Sequence, residues 1–119
     1  MLTLMCNLFS CTPSLHSLSL QDFEQKLQQV EPALLIDVRT PQEYDAGHLK
    51  NALNIDVKAD NFCDEIEKLD KGCPIFVYCR SGGRSKTAAN IFKKAGFKTV
   101  YELDKGIIGW IESGKPVEN

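Results

Sequence analysis

Apolar residues fall along this chain in two rhythms. Four short runs are nearly continuous: "ALLID" (33–37), "ALNID" (52–56), "PIFVY" (74–78) and "KTVYEL" (98–103). Runs of that length suit strands covered on both faces. Between them, apolar positions recur every three or four residues, the spacing of one helix face. In "SLQDFEQKLQQ", Ser19 is placed to cap a helix, and Phe23 and Leu27 lie one turn apart. "TPQEYDAG" carries four agreeing helix signals: Thr40 as cap, Pro41 at the first position, Glu43 to complete a capping box, and Gly47 as a stop. "DNFCDEIEKLDKG" sets Phe62, Ile66 and Leu69 on one helical stripe, with Cys63 beside it at the expected core edge. "RSKTAANIFKKAGF" reads as a helix ending in lysines and a glycine, and "GIIGWIESGK" as a last short helix with Trp110 in the core. Strands alternating with helices predict an α/β fold with a mainly parallel sheet and helices on both faces.

Length and composition narrow this picture only a little. The chain has 119 residues, enough for one core. Its net charge of −2 supplies no general attraction to nucleic acid or membrane, so any positive site must be local. Five cysteines, Cys6, Cys11, Cys63, Cys73 and Cys79, form no C-x-x-C pair, and their spacing suggests neither a zinc site nor a disulfide framework. Residues 1–16 read as a tail before a domain at 17–119. "LFSC" in that tail resembles the end of a bacterial lipobox imperfectly, with Cys11 as the residue that would carry lipid. A cytoplasmic location is the first expectation, and a lipid-anchored envelope protein the alternative.

The densest chemistry lies in "VYCRSGGRSKTA" (77–88). A strand pattern stops at Cys79, and Arg80, Ser81, Gly82, Gly83, Arg84 and Ser85 follow before the helical pattern takes over. Gly82 and Gly83 permit backbone angles that side-chain-bearing residues avoid, so a short loop can curl its N–H groups inward as an anion nest. A helix starting near Arg84 or Ser85 adds its positive dipole end. Arg80, Arg84 and Lys86 bring full charges. Ligands in open parallel sheets bind beyond the carboxyl ends of strands, where Cys79 falls. Such surroundings favour thiolate: a free cysteine is only ~3% ionised at neutral pH, and a value lowered to about 6 gives ~90%. The plainer alternative is a buried cysteine in a glycine-rich turn, and the density of charge argues against it.

These residues resemble a family. "LLIDVRTPQEYDAGHLKNALNI", "VYCRSGGRS" and "AGFKTVYELDKGIIGWIESGKPV" follow, in order, the pattern of single-domain rhodaneses, sulfurtransferases of the thiosulfate type; the likeness runs from about Leu18 to Val117. The resemblance implies a twisted, mostly parallel sheet of about five strands flanked by helices. It implies that Cys79 takes sulfur from a small anionic donor such as thiosulfate, carries it as a persulfide, and yields it to cyanide, a thiol or a protein acceptor, thioredoxin-like proteins included. Backbone N–H groups from Arg80 to Ser85 would hold the persulfide, and Arg80 and Arg84 the donor's anionic end. Asp37, Arg39, Glu43 and His48 would brace the site, His48 by orienting backbone and not as a base. Neither metal nor organic cofactor is implied, and single domains of this kind are usually monomers.

Two other readings compete. A non-catalytic rhodanese module that binds a partner would often lack the cysteine, which this chain keeps with both arginines. A phosphatase or arsenate reductase would use a longer loop; only four residues separate Cys79 from Arg84. No carboxylate lies in the loop to act as general acid. Cys63 and Cys73 would be needed near Cys79 to resolve a persulfide, and nothing in their spacing brings them there.

Overall fold

The computed structural model describes residues 12–119; Cys6 and Cys11, with the lipobox-like stretch, lie outside them. Five strands form one all-parallel sheet: β1 (Ser14–Leu18), β2 (Leu34–Asp37), β3 (Leu53–Asn54), β4 (Ile75–Tyr78) and β5 (Thr99–Leu103), in the order β1-β5-β4-β2-β3. The helices are α1 (Leu20–Gln29), α2 (Pro41–Ala46), α3 (Phe62–Glu67), α4 (Gly83–Lys94) and α5 (Gly106–Glu112). They cover both faces, as the alternation predicted. Among the described residues no helix is long and apolar enough to cross a membrane.

Strand alternation divides the core in two. Ile36, Ile75, Val77, Cys79 and Val100 face α3 and α4, against Phe62, Ile66, Ala88, Ala89 and Phe92. Leu35, Phe76, Tyr78 and Leu103 face α1 and α5, against Phe23, Ile107 and Trp110. All four residues of β4 are fully buried, as expected for a central parallel strand. The capping box of α2 is complete: Thr40 Oγ1 accepts the Glu43 N–H, and Glu43 accepts from the Thr40 N–H.

Three local expectations change. Strand β1 was not foreseen, and the boundary placed at residue 16 falls inside it. Its sequence, SLHSL, is half polar because it lies at a sheet edge and pairs only with β5. The run at 52–56 yields only the two residues of β3, at the opposite edge, where Leu53 is exposed. Cys63, expected at the core edge, is exposed. Phe62 and Ile66 hold the buried stripe of α3, and one residue further along a helix is a turn of about 100° away from it.

Candidate active site

Cys79 follows β4 directly, at the carboxyl end of the sheet, and is 1% exposed. The loop behind it is short because α4 starts at Gly83. Gly82 makes the turn with φ +113°, a left-handed conformation, and there the Gly82 N–H donates to Cys79 Sγ at 3.1 Å. A Cβ at Gly82 would also collide with the Asp104 carbonyl. Gly83 has ordinary angles and open space around it, so of the two loop glycines only Gly82 is required by the geometry.

The start of α5 holds the loop from outside. Ile107 N–H donates to the Cys79 carbonyl at 2.9 Å, and Ile108 N–H to that of Arg80 at 3.1 Å. In a trans peptide the N–H points opposite to the C=O, so the Arg80 carbonyl drawn toward α5 leaves the Ser81 N–H turned to the sulfur's side, where it favours the thiolate. Gly106, with φ +61°, makes this grip possible: a Cβ there would lie 2.6 Å from the Cys79 carbonyl oxygen and closer still to that of Arg80.

Burial alone pushes the Cys79 thiol up. The Ser85 hydroxyl and the backbone N–H groups of Ser85, Gly82 and Ser81 outweigh it, and the thiol sits below its ordinary value. The positive end of the twelve-residue α4 favours the anion in the same sense.

The arginines and Lys86 differ from the open ring of cations expected. Arg84 is bound in a fork to Glu43, Nη1 to Oε1 at 2.7 Å and Nη2 to Oε2 at 2.9 Å. This pairing, helped by Thr40 and opposed by burial, holds the Glu43 carboxyl down at about 2. Lys86 reaches Asp104 Oδ1 at 3.0 Å and Glu102 Oε1 at 3.6 Å. Arg80 is exposed, and no ion pair or side-chain hydrogen bond engages it among the described residues. A cleft of about 520 Å³ opens beside the loop, lined by Ser81, Gly82, Gly83, Lys86, Lys105 and Ile108 among others; Cys79 does not line it.

The signature residues of the first half sit in separate places. Asp37 is fully buried and takes Arg39 in a fork, with Arg39 Nη2 at 2.7 Å from Oδ2 and Nε at 3.0 Å from Oδ1. Tyr78 donates its hydroxyl to Asp37 Oδ2 at 2.6 Å and accepts the Leu49 N–H at 3.0 Å. Burial and the Asp37 charge push the Tyr78 hydroxyl far up. Arg39 also reaches the Gly47 carbonyl at 2.6 Å. His48 stacks on Tyr44 at 3.8 Å, its Nδ1 lies 2.9 Å from the Tyr44 carbonyl, and its backbone pairs with Glu118. Only Glu43 of this group touches the loop.

Sequence reasoning missed Glu102. It is fully buried on β5, accepts the Ser85 hydroxyl at 2.5 Å and the Ser17 hydroxyl at 2.6 Å, and stands one hydroxyl away from the sulfur. The signal was present: two residues from Val100 on a strand, Glu102 shares its inward face. Cys73 is a partly buried free thiol, and the hydrogen-bond partners of Cys79 Sγ are Ser85 and Gly82; among the described residues no group of His, Cys, Asp and Glu side chains could hold a metal ion.

The site is thus a buried cysteine at the carboxyl end of a parallel sheet, its sulfur met by a backbone N–H at the start of α4 and its carbonyl held by the start of α5. The Rhodanese-like domain family matches residues 19–113, and the chain belongs to that family. Among its relatives, a sulfurtransferase of Allochromatium vinosum is 32% identical over 97 residues, covering 82% of this chain and 89% of that one. A tRNA uridine(34) hydroxylase of Aster yellows witches'-broom phytoplasma is 36% identical over 94 residues, 76% of this chain; the chain spans only 30% of that relative's length. A rhodanese-related protein of Thermoplasma volcanium, of known structure, superposes with a TM-score of 0.75 at 26% identity, covering 87% of this chain and 97% of that one.

Proposed function

We propose that this chain is a sulfurtransferase that carries sulfane sulfur on Cys79. The Cys79 thiolate attacks the outer sulfur of thiosulfate or of another persulfide. A bond forms between the two sulfurs as the donor's S–S bond breaks, and sulfite or a thiolate leaves with the electron pair. The terminal sulfur of the Cys79 persulfide then lies in the nest, where the N–H groups that now serve the thiolate meet its charge. A thiol, a protein acceptor or cyanide attacks that sulfur, and Cys79 departs as thiolate, ready for a second turnover.

The observation that carries this reading is the Gly82 N–H on Cys79 Sγ at 3.1 Å, at the start of α4, with the thiol held below its ordinary value. The likeness to a sulfurtransferase across most of both chains supports it. Arg80, exposed at the loop, meets the donor's anionic end. Arg84 gives two of its N–H groups to Glu43 and keeps the remaining three of a guanidinium's five for the donor.

Intact-protein mass spectrometry after incubation with thiosulfate, without reductant, tests the proposal. Wild type is expected to gain one sulfur atom, lose it to cyanide, and gain none as Cys79→Ser. A gain that survives in Cys79→Ser, or no gain with thiosulfate or a low-molecular-weight persulfide, overturns it. In the second case a partner-binding module becomes the better account.

A further inference from the structure

The Ser85 hydroxyl has one hydrogen and two oxygen acceptors within reach of it, Glu102 Oε2 at 2.5 Å and the Gly82 carbonyl at 3.1 Å, while Cys79 Sγ lies 3.4 Å from its oxygen as a donor. The shortest contact takes the hydrogen. Ser85 then offers a lone pair to the Cys79 S–H, an arrangement that suits the thiol. Loss of the thiol proton to water would leave two negative charges enclosed, separated by one hydroxyl. Glu102 is fully buried, and its only cation among the described residues, Lys86, is half-exposed, 3.6 Å away and shared with Asp104. Like charges so placed repel strongly in a poorly screened interior.

We propose that Glu102, acting through the Ser85 hydroxyl, takes up the Cys79 thiol proton, so that the thiolate and a protonated carboxyl form together. The S–H bond breaks as an O–H bond forms at Ser85. The original Ser85 O–H breaks as an O–H bond forms at Glu102 Oε2. No electrons are gained or lost, and the enclosed charge stays at a single negative unit. That unit moves from the carboxylate to the sulfur, where the Gly82 N–H and the start of α4 receive it. Glu102 touches neither donor nor acceptor, and it is a positioning residue. The inference deepens the sulfurtransferase reading: the proton is held inside while Cys79 cycles between thiolate and persulfide.

Every neighbour of this pair enters its pH response. On α4 these are Ser85, Lys86 and Arg84, the last tied to Glu43. On β1 it is Ser17, and on β4 Val77, which pairs with Glu102. Asp104, just beyond β5, acts through Lys86. Lys26 of α1 lies over the Tyr101 ring, on the opposite face of the sheet.

Two measurements on the whole chain test the proton shift, and neither requires a sulfur donor. The first is the pH dependence of Cys79 alkylation by iodoacetamide, read on the Cys79 peptide by mass spectrometry. Wild type should react in two steps with a plateau between them, because the sulfur and the carboxyl share one proton over that range. Glu102→Gln keeps the acceptor for Ser85 but can hold no proton. It should show one step, falling about tenfold per pH unit below its midpoint. The second is infrared difference spectroscopy near neutral pH. A protonated-carboxyl band should be present in wild type and absent from both Glu102→Gln and Cys79→Ser. Superposable alkylation profiles for wild type and Glu102→Gln overturn the proposal. So does a carboxyl band that persists in Cys79→Ser, a comparison that holds even if Glu102→Gln fails to fold.

Discussion

Tyr78 and Cys79 are neighbours in sequence and point to opposite faces of the sheet, each into a buried polar cluster. The Tyr78 cluster is balanced. Asp37 faces Arg39, and the Tyr78 hydroxyl both donates and accepts. The Cys79 cluster is not balanced in charge. Glu102 accepts two hydroxyls, from Ser85 and Ser17, but among the described residues its only cation is a half-exposed lysine 3.6 Å away that is shared with Asp104. A saturated network has one arrangement and acts as scaffold. A carboxylate joined to a thiol through one hydroxyl, with no close counter-charge, leaves room for a second arrangement, the one proposed above for Glu102. The contrast shows why two equally buried polar groups on one strand end play different parts.

The largest effect expected from breaking this contrast lies on the scaffold side. Asp37→Ala strands the Arg39 guanidinium, which is 5% exposed, without its counter-charge. Removing one partner of a buried pair costs about 3–5 kcal/mol, and the urea midpoint should fall accordingly. Tyr78→Phe leaves the Leu49 N–H unmet, takes one donor from Asp37 Oδ2 while Arg39 Nη2 stays on it, and should lose about 1–3 kcal/mol by the same measurement. An unchanged midpoint in Asp37→Ala would mean that water reaches Arg39 and that the cluster is no scaffold.

Gly106→Ala comes next and acts on the active side through the backbone. Its left-handed φ and its contact with the Cys79 and Arg80 carbonyls force the loop to shift. We expect about 1–3 kcal/mol of lost stability and at least roughly a tenfold slower gain of sulfur from thiosulfate, because the N–H groups lose their aim. Gly83→Ala is the control, with open space and ordinary angles, and should change stability by no more than about 0.5 kcal/mol. Equal sulfur-loading rates in Gly106→Ala and wild type would show that α5 does not set the nest.

Much of this was legible in the sequence wherever the determinant is local. The buried strands announced themselves as apolar runs, the start of α2 as a capping box, and the corner at Cys79 as glycines and arginines after a strand. What stayed hidden depends on partners far along the chain or on a rotation. Arg84 read as a free cation because Glu43 lies 41 residues earlier. Strand β1 has too few apolar positions to show itself until β5 supplies its hydrogen bonds. Cys63 missed the core by one helical step. Glu102 went unremarked within the strand pattern because its partners Ser17 and Ser85 come from two other elements.

The smallest expected effects concern the Glu43–Arg84 bridge, which touches the active loop from the scaffold half. Folding depresses the Glu43 carboxyl from 4.5 to about 2. The bridge therefore stabilises the fold fully above about 4.5, and that contribution fades as pH falls through the interval down to about 2. Urea midpoints of wild type should thus drop more steeply over this interval than those of Glu43→Gln, which retains a capping side chain but cannot ionise. At neutral pH the same substitution frees Arg84 and removes one negative charge from the loop's surroundings. KM for thiosulfate should fall about two- to threefold at low ionic strength, and the gain should shrink as salt is added. A KM that does not respond would mean that the three N–H groups left by Glu43 already suffice, and that Arg84 serves wild type as fully when tethered as when free.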